Sequence, residues 1–274
     1  MDSCAEILPE ILAATVKRVD GYRIHTSGCN RMPELVRDSS HSNGISILHL
    51  ENAGIFRKIS RSKQGRNLLH NESAGINWYR HARGDSDSLL SSTLWETDTF
   101  TRLDIKRIEG FQALYTDSVS VNQGLLEACL AHYLDTWPRQ SRVPCHGDLT
   151  LDNVIFLEKN DPVFFDWEHF SGHGECWGFD MAYLLLSAIV LPAPHRSDIT
   201  VIEKDTFVTL WRQLAEAGLP EELGKNPAGF FRQAFSSGKH WLEITAHSPH
   251  KLFPLWMSKE QESHISHVIV EGIN

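Results

Sequence analysis

Long apolar runs are missing from this chain of 274 residues. The most apolar stretch, Met181 to Leu191, stops at Pro192, short of the roughly 20 residues that a membrane-spanning helix needs. It reads instead as a buried helix, and no membrane partner is expected. Basic tracts are missing too. With 26 Lys+Arg against 35 Asp+Glu the net charge is −9, so nucleic acid is not an expected partner. Cysteine is sparse and odd in number: Cys4, Cys29, Cys129, Cys145 and Cys176, with no C-x-x-C pair. That argues against a zinc ribbon or a disulfide framework and for reduced thiols in a cytosol. The first residues carry Asp2, Glu6 and Glu10 where an export signal has basic residues and an apolar run, so a cytoplasmic location is expected. No internal repeat, low-complexity tract or G-x-G-x-x-G occurs. The metal-hydrolase patterns D-x-H, G-N-H and H-E-x-x-H are absent as well.

What is present is concentrated in one place. His146-Gly147-Asp148-Leu149-Thr150-Leu151-Asp152-Asn153 reads H-G-D-x-x-x-x-N, and Phe164-Phe165-Asp166-Trp167-Glu168 follows a short distance on. Val154 to Leu157 reads as a buried strand, Glu158 to Pro162 as a turn whose Pro ends the ladder, and Val163 to Phe165 as the return strand. This fold-back brings Asp166 near Asn153 and leaves Asp148 on the loop before the hairpin. The spacing suits phosphoryl transfer. One carboxylate, Asp148, can take a proton from a substrate hydroxyl. The Asn153 amide and the Asp166 carboxylate offer the hard oxygen ligands that Mg2+ prefers on a nucleoside triphosphate such as ATP. Either half alone is a weak signal; the two halves joined by strand, turn and strand are a specific one.

These residues resemble the aminoglycoside phosphotransferase and choline kinase superfamily, relatives of the protein kinases. Protein kinases carry Arg where this chain has Gly147; the Gly form is typical of the small-molecule kinases. The resemblance runs from about Pro144 to Leu186 and includes Gly178-Phe179-Asp180-Met181-Ala182. It implies an α+β, two-lobed fold: a small antiparallel-sheet N-lobe with one main helix, and a larger, mostly helical C-lobe. It further implies that Asp180 braces the catalytic loop and that His146 steadies it.

Periodicity along the chain agrees with that order. Cys4 to Arg18 has apolar residues at helical spacing. Strands are expected at Pro33–Arg37, Ile45–Glu51, Ile55–Ser60, Ser88–Glu96 and Phe100–Glu109, with a helix at Leu68–Arg83 and a basic loop at Arg61–Arg66. From Val119 the pattern turns helical. Asn122 is placed to cap a helix whose face carries Leu125, Leu126, Cys129, Leu130, Tyr133 and Leu134, ending at Trp137-Pro138. Further helices are expected at Asp180–Leu191, Thr200–Ala217, Pro227–Thr245 and Lys259–Val270. The lobes are expected at residues 1–110 and 111–274.

The first lobe should hold the nucleotide contacts. Lys58 lies on the third strand, with Phe56 on the same face to pack near the base. Glu72, in the following helix, can fix Lys58 by an ion pair, an arrangement that the superfamily resemblance supports. Arg57 is the competing cation, on the opposite face; two unrelated surface charges is the plain alternative. The Ser39–Gly44 loop, with Ser42, Asn43 and Gly44, offers backbone amides to phosphates or is an ordinary hairpin turn. Ile108, in the connector after the fifth strand, is the candidate wall for adenine, and Gly110 lets the chain turn.

On the acceptor side, Trp211, Trp241, Phe253 and Trp256 either hold a cationic or sugar acceptor or are simply core. His169 and His173 stand beside Asp166. His264 and His267 share a helical face, without the carboxylate partners of a metal site. The resulting expectation is an ATP- and Mg2+-dependent enzyme that phosphorylates a hydroxyl of a small molecule: an aminoglycoside, a sugar or an amino alcohol such as choline. A metal-dependent phosphoester hydrolase and a non-catalytic nucleotide-binding protein remain the alternatives. The oligomeric state is not legible.

Overall fold

The computed structural model describes residues 34–37, 44–84, 89–112, 119–157, 161–190 and 202–237, with 263, 265–267 and 269 near the C-terminus. The chain divides into two compact units. The first comprises Met1–Ser73 with Asp87–Arg107, the second Ala74–Ser86 with Ile108–Asn274.

The first unit is a five-stranded antiparallel sheet with one helix. Its strands are β1 (Glu34–Arg37), β2 (Ile45–Leu50), β3 (Ile55–Ser60), β4 (Ser92–Glu96) and β5 (Thr101–Lys106), in the order β1-β2-β3-β5-β4. Strand alternation assigns the faces. In β3 the register pairs Lys58 with Ile47 on one side and Leu103 on the other, and Leu103 in turn with Leu94. That row lies with the cluster of Ile45, Leu68, Leu69 and Leu103, against which Ile47, Leu94 and Ile105 pack. Each such Leu or Ile removed from water contributes roughly 1.5–3 kcal/mol. The apolar row therefore outweighs the desolvation of one lysine that has an ionic partner.

The helix of this unit, α1, spans Lys63–Ala82 and so starts five residues before the expected Leu68. Local chemistry explains the earlier start. Ser62 Oγ accepts the N–H of Gly65 at 3.0 Å, and the Ser62 carbonyl accepts that of Arg66 at 3.0 Å. The basic residues Lys63 and Arg66 belong to the first helical turn rather than to a loop. Arg66 pairs with Glu96 at 2.9 Å and donates to Thr101 Oγ1 at 3.1 Å. Residues 63–73 of α1 fall in the first unit and 74–82 in the second.

In the second unit, α2 (Val119–Thr136) carries the anticipated buried face of Leu125, Leu126, Cys129, Leu130 and Tyr133. Asn122 does not cap it: the helix begins three residues earlier and Asn122 is buried within it. The remaining helices are α3 (Phe179–Val190), α4 (Lys204–Glu216), α5 (Glu221–Lys225) and α6 (Pro227–Ser237); 263, 265–267 and 269 are helical as well. α3 is buried on every side from Phe179 to Ala188, the pattern of a core helix. Among the described residues no helix is long and apolar enough to cross a membrane.

Two small sheets accompany these helices. β6 (Phe111–Gln112), β8 (Val154–Phe156) and β9 (Pro162–Phe164) form one, in the order β6-β8-β9. β7 (Val143–Cys145) and β10 (Ser171–Glu175) form the other. Pro162 does not end the ladder as expected but begins β9, opposite Phe156. The first residue of a strand is one of the few places where Pro fits. Aromatic rings fill the space behind the β8–β9 hairpin: Tyr79 stacks on Phe164 at 5.6 Å, and Tyr133 stacks on Trp137 at 4.5 Å. Gly110 is required by close approach: a Cβ there would meet Ile155 and the Phe156 carbonyl, each at 2.6 Å.

Candidate active site

The site is built on the loop between β7 and β8. His146 to Thr150 leave β7, Leu151–Asn153 form one 3-10 turn, and β8 begins at Val154. One backbone bond and two side-chain-to-backbone bonds gather the named residues. The Asn153 side-chain amide donates to the Asp148 carbonyl at 2.7 Å. The Asn153 carbonyl accepts the N–H of Phe165 at 3.1 Å. His146 Nε2 donates to the Phe165 carbonyl at 2.8 Å. The chain on either side of the hairpin is therefore tied together next to Asp166. With its N–H committed to Asp148, the Asn153 amide keeps Oδ1 as its lone-pair atom.

Asp166 has φ 63° and ψ 55°. It is the one non-glycine residue with positive φ among those described. Such a conformation costs roughly 1–3 kcal/mol and persists where surrounding structure imposes it, commonly at functional sites. Directly after it, Trp167–His169 form a buried 3-10 turn, with Trp167 against the His146 ring at 4.5 Å.

Asp180, at the start of α3, accepts the N–H of His146 at 2.8 Å on one oxygen and that of Gly147 at 3.0 Å on the other. Burial raises its carboxyl to about 7 against these two bonds, with the Glu175 and Asp148 charges adding to the rise. Gly147 sits at φ +87°, and a Cβ there would lie 2.5 Å from the His169 carbonyl. The arginine of protein kinases has no room at this position. Asp148 itself is 3% exposed and receives the Tyr183 hydroxyl on Oδ1 at 3.4 Å.

Histidine chemistry follows from these contacts. His146 accepts the Asp148 N–H on Nδ1 at 3.3 Å and donates from Nε2, so it is the neutral Nε2–H tautomer. Burial lowers it from 6.5 to about 4, against the pull of the Phe165 carbonyl and the Asp166 charge. His169 goes the other way. Its burial opposes charge, but the bond and charge of Glu168, 3.5 Å away, with the charges of Asp148 and Asp166, raise it overall.

The depressed His146 makes folding sensitive to acid. A ring held neutral stabilises the fold fully above pH 6.5, and that contribution is lost as pH falls toward 4. The drop from 6.5 to about 4 corresponds to about 3 kcal/mol. Asp180 works in the opposite sense, its raised carboxyl disfavouring the fold as pH rises from 3.8 toward 7. Comparing His146→Asn with the parent by denaturant melts at pH 7 and pH 4.5 separates the two: the variant should lose less stability on acidification. Equal losses would remove His146 as the acid-sensitive group.

In the first unit, Lys58 Nζ and Glu72 Oε1 are paired at 2.6 Å, with side chains 8% and 1% exposed. The surface-charge alternative does not describe them. The competing Arg57 is engaged with Asp104, its cross-strand neighbour, through two bonds of 2.6 and 2.8 Å. Removing one member of a buried pair strands the other, at about 3–5 kcal/mol. Glu72→Ala should therefore destabilise by that amount in a denaturant melt, and Lys58→Met/Glu72→Leu by much less. Equal losses would mean that the pair is not what the fold depends on.

The other named residues fall as follows. Gly44 leads into β2, its carbonyl accepting from Ser60 Oγ at 2.6 Å. Ser42 and Asn43 lie outside the described residues. Phe56 stacks on His49 at 4.7 Å. Ile108, the first residue of the second segment of its unit, is half-buried. Trp211 is core: it is 1% exposed, stacks on Phe207 and donates to the Gly224 carbonyl at 3.2 Å. Trp241, Phe253, Trp256 and His264 lie outside the described residues, as do Cys4, Cys29 and the segment Cys4–Arg18. His173 lies in β10 and His267 is exposed. Burial pushes the Cys145 thiol well up, which fits a small core residue and not a nucleophile.

Tyr183 was not singled out by sequence, because it reads as one more apolar position of a buried helix. Its spacing of three from Asp180 is the signal that could have found it. Among the described residues no group of three or more His, Cys, Asp or Glu is arranged to hold a metal ion. The donor chemistry of Asn153 and Asp166, one amide oxygen and one carboxylate, is of the kind that Mg2+ accepts, and Mg2+ takes most of its ligands from phosphate and water.

The first unit is thus an antiparallel sheet with one helix, and the second is largely helical and bears the H-G-D loop and the hairpin that leads to Asp166. Residues 90–218 match the family model APH, the phosphotransferase enzyme family, over just under half of the chain and across the whole loop and hairpin. The resemblance to the aminoglycoside phosphotransferase superfamily is thereby borne out, and the match supports a phosphotransferase. No curated protein is matched. Solved structures to which the chain is similar include a provisionally designated aminoglycoside phosphotransferase from Ralstonia eutropha JMP134, at 12% identity, TM-score 0.49 and 98% coverage of both chains. Another is a provisionally designated fructosamine-3-kinase from Haemophilus somnus 129PT, at 10% identity, TM-score 0.42 and coverage of 100% of this chain and 97% of that one. The bifunctional kinase-methyltransferase WbdD is similar at 13% identity and TM-score 0.39; 92% of this chain is covered, but it spans only about half, 53%, of the WbdD chain.

Proposed function

We propose that this chain is an ATP- and Mg2+-dependent kinase that moves the γ-phosphate to a hydroxyl group of a small molecule, such as an aminoglycoside, a sugar or an amino alcohol. The observation that supports the reading is that Asn153 is tied through its side chain to the Asp148 carbonyl and through its own carbonyl to the N–H of Phe165, the residue before Asp166.

Asp148 takes the proton of the acceptor hydroxyl as its oxygen bonds to the γ-phosphorus. The bond from that phosphorus to the bridging oxygen breaks, and ADP leaves with the electron pair. Asn153 Oδ1 and Asp166 would hold Mg2+, which supplies charge neutralisation on the phosphates when bound. Lys58, aligned by Glu72, contributes a cation to the phosphates, and the amides of Ser42, Asn43 and Gly44 cover them. Ile108 walls the adenine, with Phe56 packing near the base. His146 and Asp180 act by holding the loop that carries Asp148. Positioning and charge stabilisation account for most of the rate in such transfers, so this small set suffices. Neither nucleic acid nor a membrane is a partner in this reading, and a cytoplasmic setting suits the free thiols.

The test is ADP release from ATP and Mg2+ with choline, ethanolamine, glucose and kanamycin offered separately. ADP formed only with an acceptor supports the kinase. Metal-dependent phosphate release that ignores every acceptor would favour a hydrolase, and ATP binding without turnover a nucleotide-binding protein.

A further inference from the structure

We propose that Tyr183 is a positioning residue that sets the orientation of the Asp148 carboxylate, an inference that rests on the phosphotransfer reading above. α3 presents Asp180 and Tyr183 three residues apart, and residues at that spacing share a helix face. The face meets three consecutive loop residues. Asp180 takes the backbone N–H of His146 at 2.8 Å and of Gly147 at 3.0 Å, and the Tyr183 hydroxyl reaches Asp148 Oδ1 at 3.4 Å. One helical turn therefore holds the loop twice by its backbone and once by the carboxylate itself.

The phenol is aimed by packing. Tyr183 is fully buried and its ring meets Phe231 edge-on at 5.7 Å. A buried phenol hydroxyl needs a partner, and here it donates to the side chain of the reacting group. At 3.4 Å the contact is longer than the roughly 2.5–3.0 Å of an ordinary O–H···O bond, as catalytic hydrogen bonds commonly are before substrate tightens them. A short carboxylate on a loop has several rotamers. A donor fixed on one oxygen selects among them and so fixes the plane in which Asp148 takes the acceptor's proton. Small losses of alignment are costly in such a step.

Tyr183→Phe keeps the ring and removes the donor. The measure is ADP release from Mg-ATP with the most active of the four acceptors named above, or with water where none is active. The expected result is a kcat about tenfold lower, KM for ATP within about twofold, and an unchanged far-UV circular dichroism spectrum. Tyr183→Phe added to Asp148→Asn should slow turnover no further. A second measurement needs no activity. If the two side chains interact, the effects of Tyr183→Phe and Asp148→Ala, which removes the acceptor oxygen, on the unfolding equilibrium constant will fail to multiply, by more than about twofold. A kcat unchanged by Tyr183→Phe, or effects on unfolding that multiply within that factor, would overturn the inference and leave the kinase reading standing. Full turnover in Asp148→Asn would instead overturn the kinase reading and this role with it.

Discussion

Asp148→Asn is expected to lower turnover by about 10²- to 10⁴-fold, the usual contribution of a general base, while nucleotide affinity stays within a few-fold of the parent. The substitution is suited to the question because the contacts that hold the loop do not depend on the carboxylate's charge. Asn153 binds the Asp148 main-chain carbonyl, His146 Nδ1 accepts the Asp148 N–H, and Asp180 grips the two preceding amides. Asparagine keeps an oxygen for the Tyr183 hydroxyl. What it lacks is the ability to take a proton. Steady-state kcat with an active acceptor, and calorimetric ATP binding, separate the two quantities. Undiminished turnover would remove Asp148 from its role.

Asp166→Ala is expected to weaken Mg2+-dependent ATP binding by about 10- to 100-fold or more, since even outer partners of a metal site change affinity by that much when removed. The backbone at this position adds a control. With φ at 63°, alanine adds strain unrelated to charge, whereas asparagine tolerates the left-handed region. Asp166→Asn should therefore reproduce the loss of Mg-ATP affinity with less loss of stability. Binding titrated with and without Mg2+ reads the effect directly. Affinity for Mg-ATP equal to the parent's in both variants would count against Asp166 as a ligand.

The parts of the site that are legible in the sequence are those in which local pattern and chemistry coincide. The β8–β9 hairpin can be read because two apolar runs flank a turn, so Asn153 and Asp166 have to return toward each other. Lys58 and Glu72 can be read because a lysine on an apolar strand needs a counter-charge once it is buried, and the next helix supplies a glutamate. The boundaries are less legible. α1 starts at Lys63 because Ser62 is aligned as its cap, and charged residues give no apolar period to announce a helix. β10, Ser-Gly-His-Gly-Glu, has no strand signature of its own; it exists because β7 offers it a ladder.

Local composition and spacing alone determined the kinds of groups available, the hairpin that returns Asp166 toward Asn153, and a sheet followed by helices. These follow from short-range sterics, side-chain period and turn chemistry, which act within a few residues along the chain. Only the tertiary structure decided that Gly147 must be glycine, because the His169 carbonyl occupies the space a Cβ would need. It likewise decided that Asp180 closes on two amides 33 and 34 residues away, and that Tyr183 meets Asp148 across 35. Such contacts arise from packing between elements distant in sequence, where many pairings are chemically possible and the fold selects one.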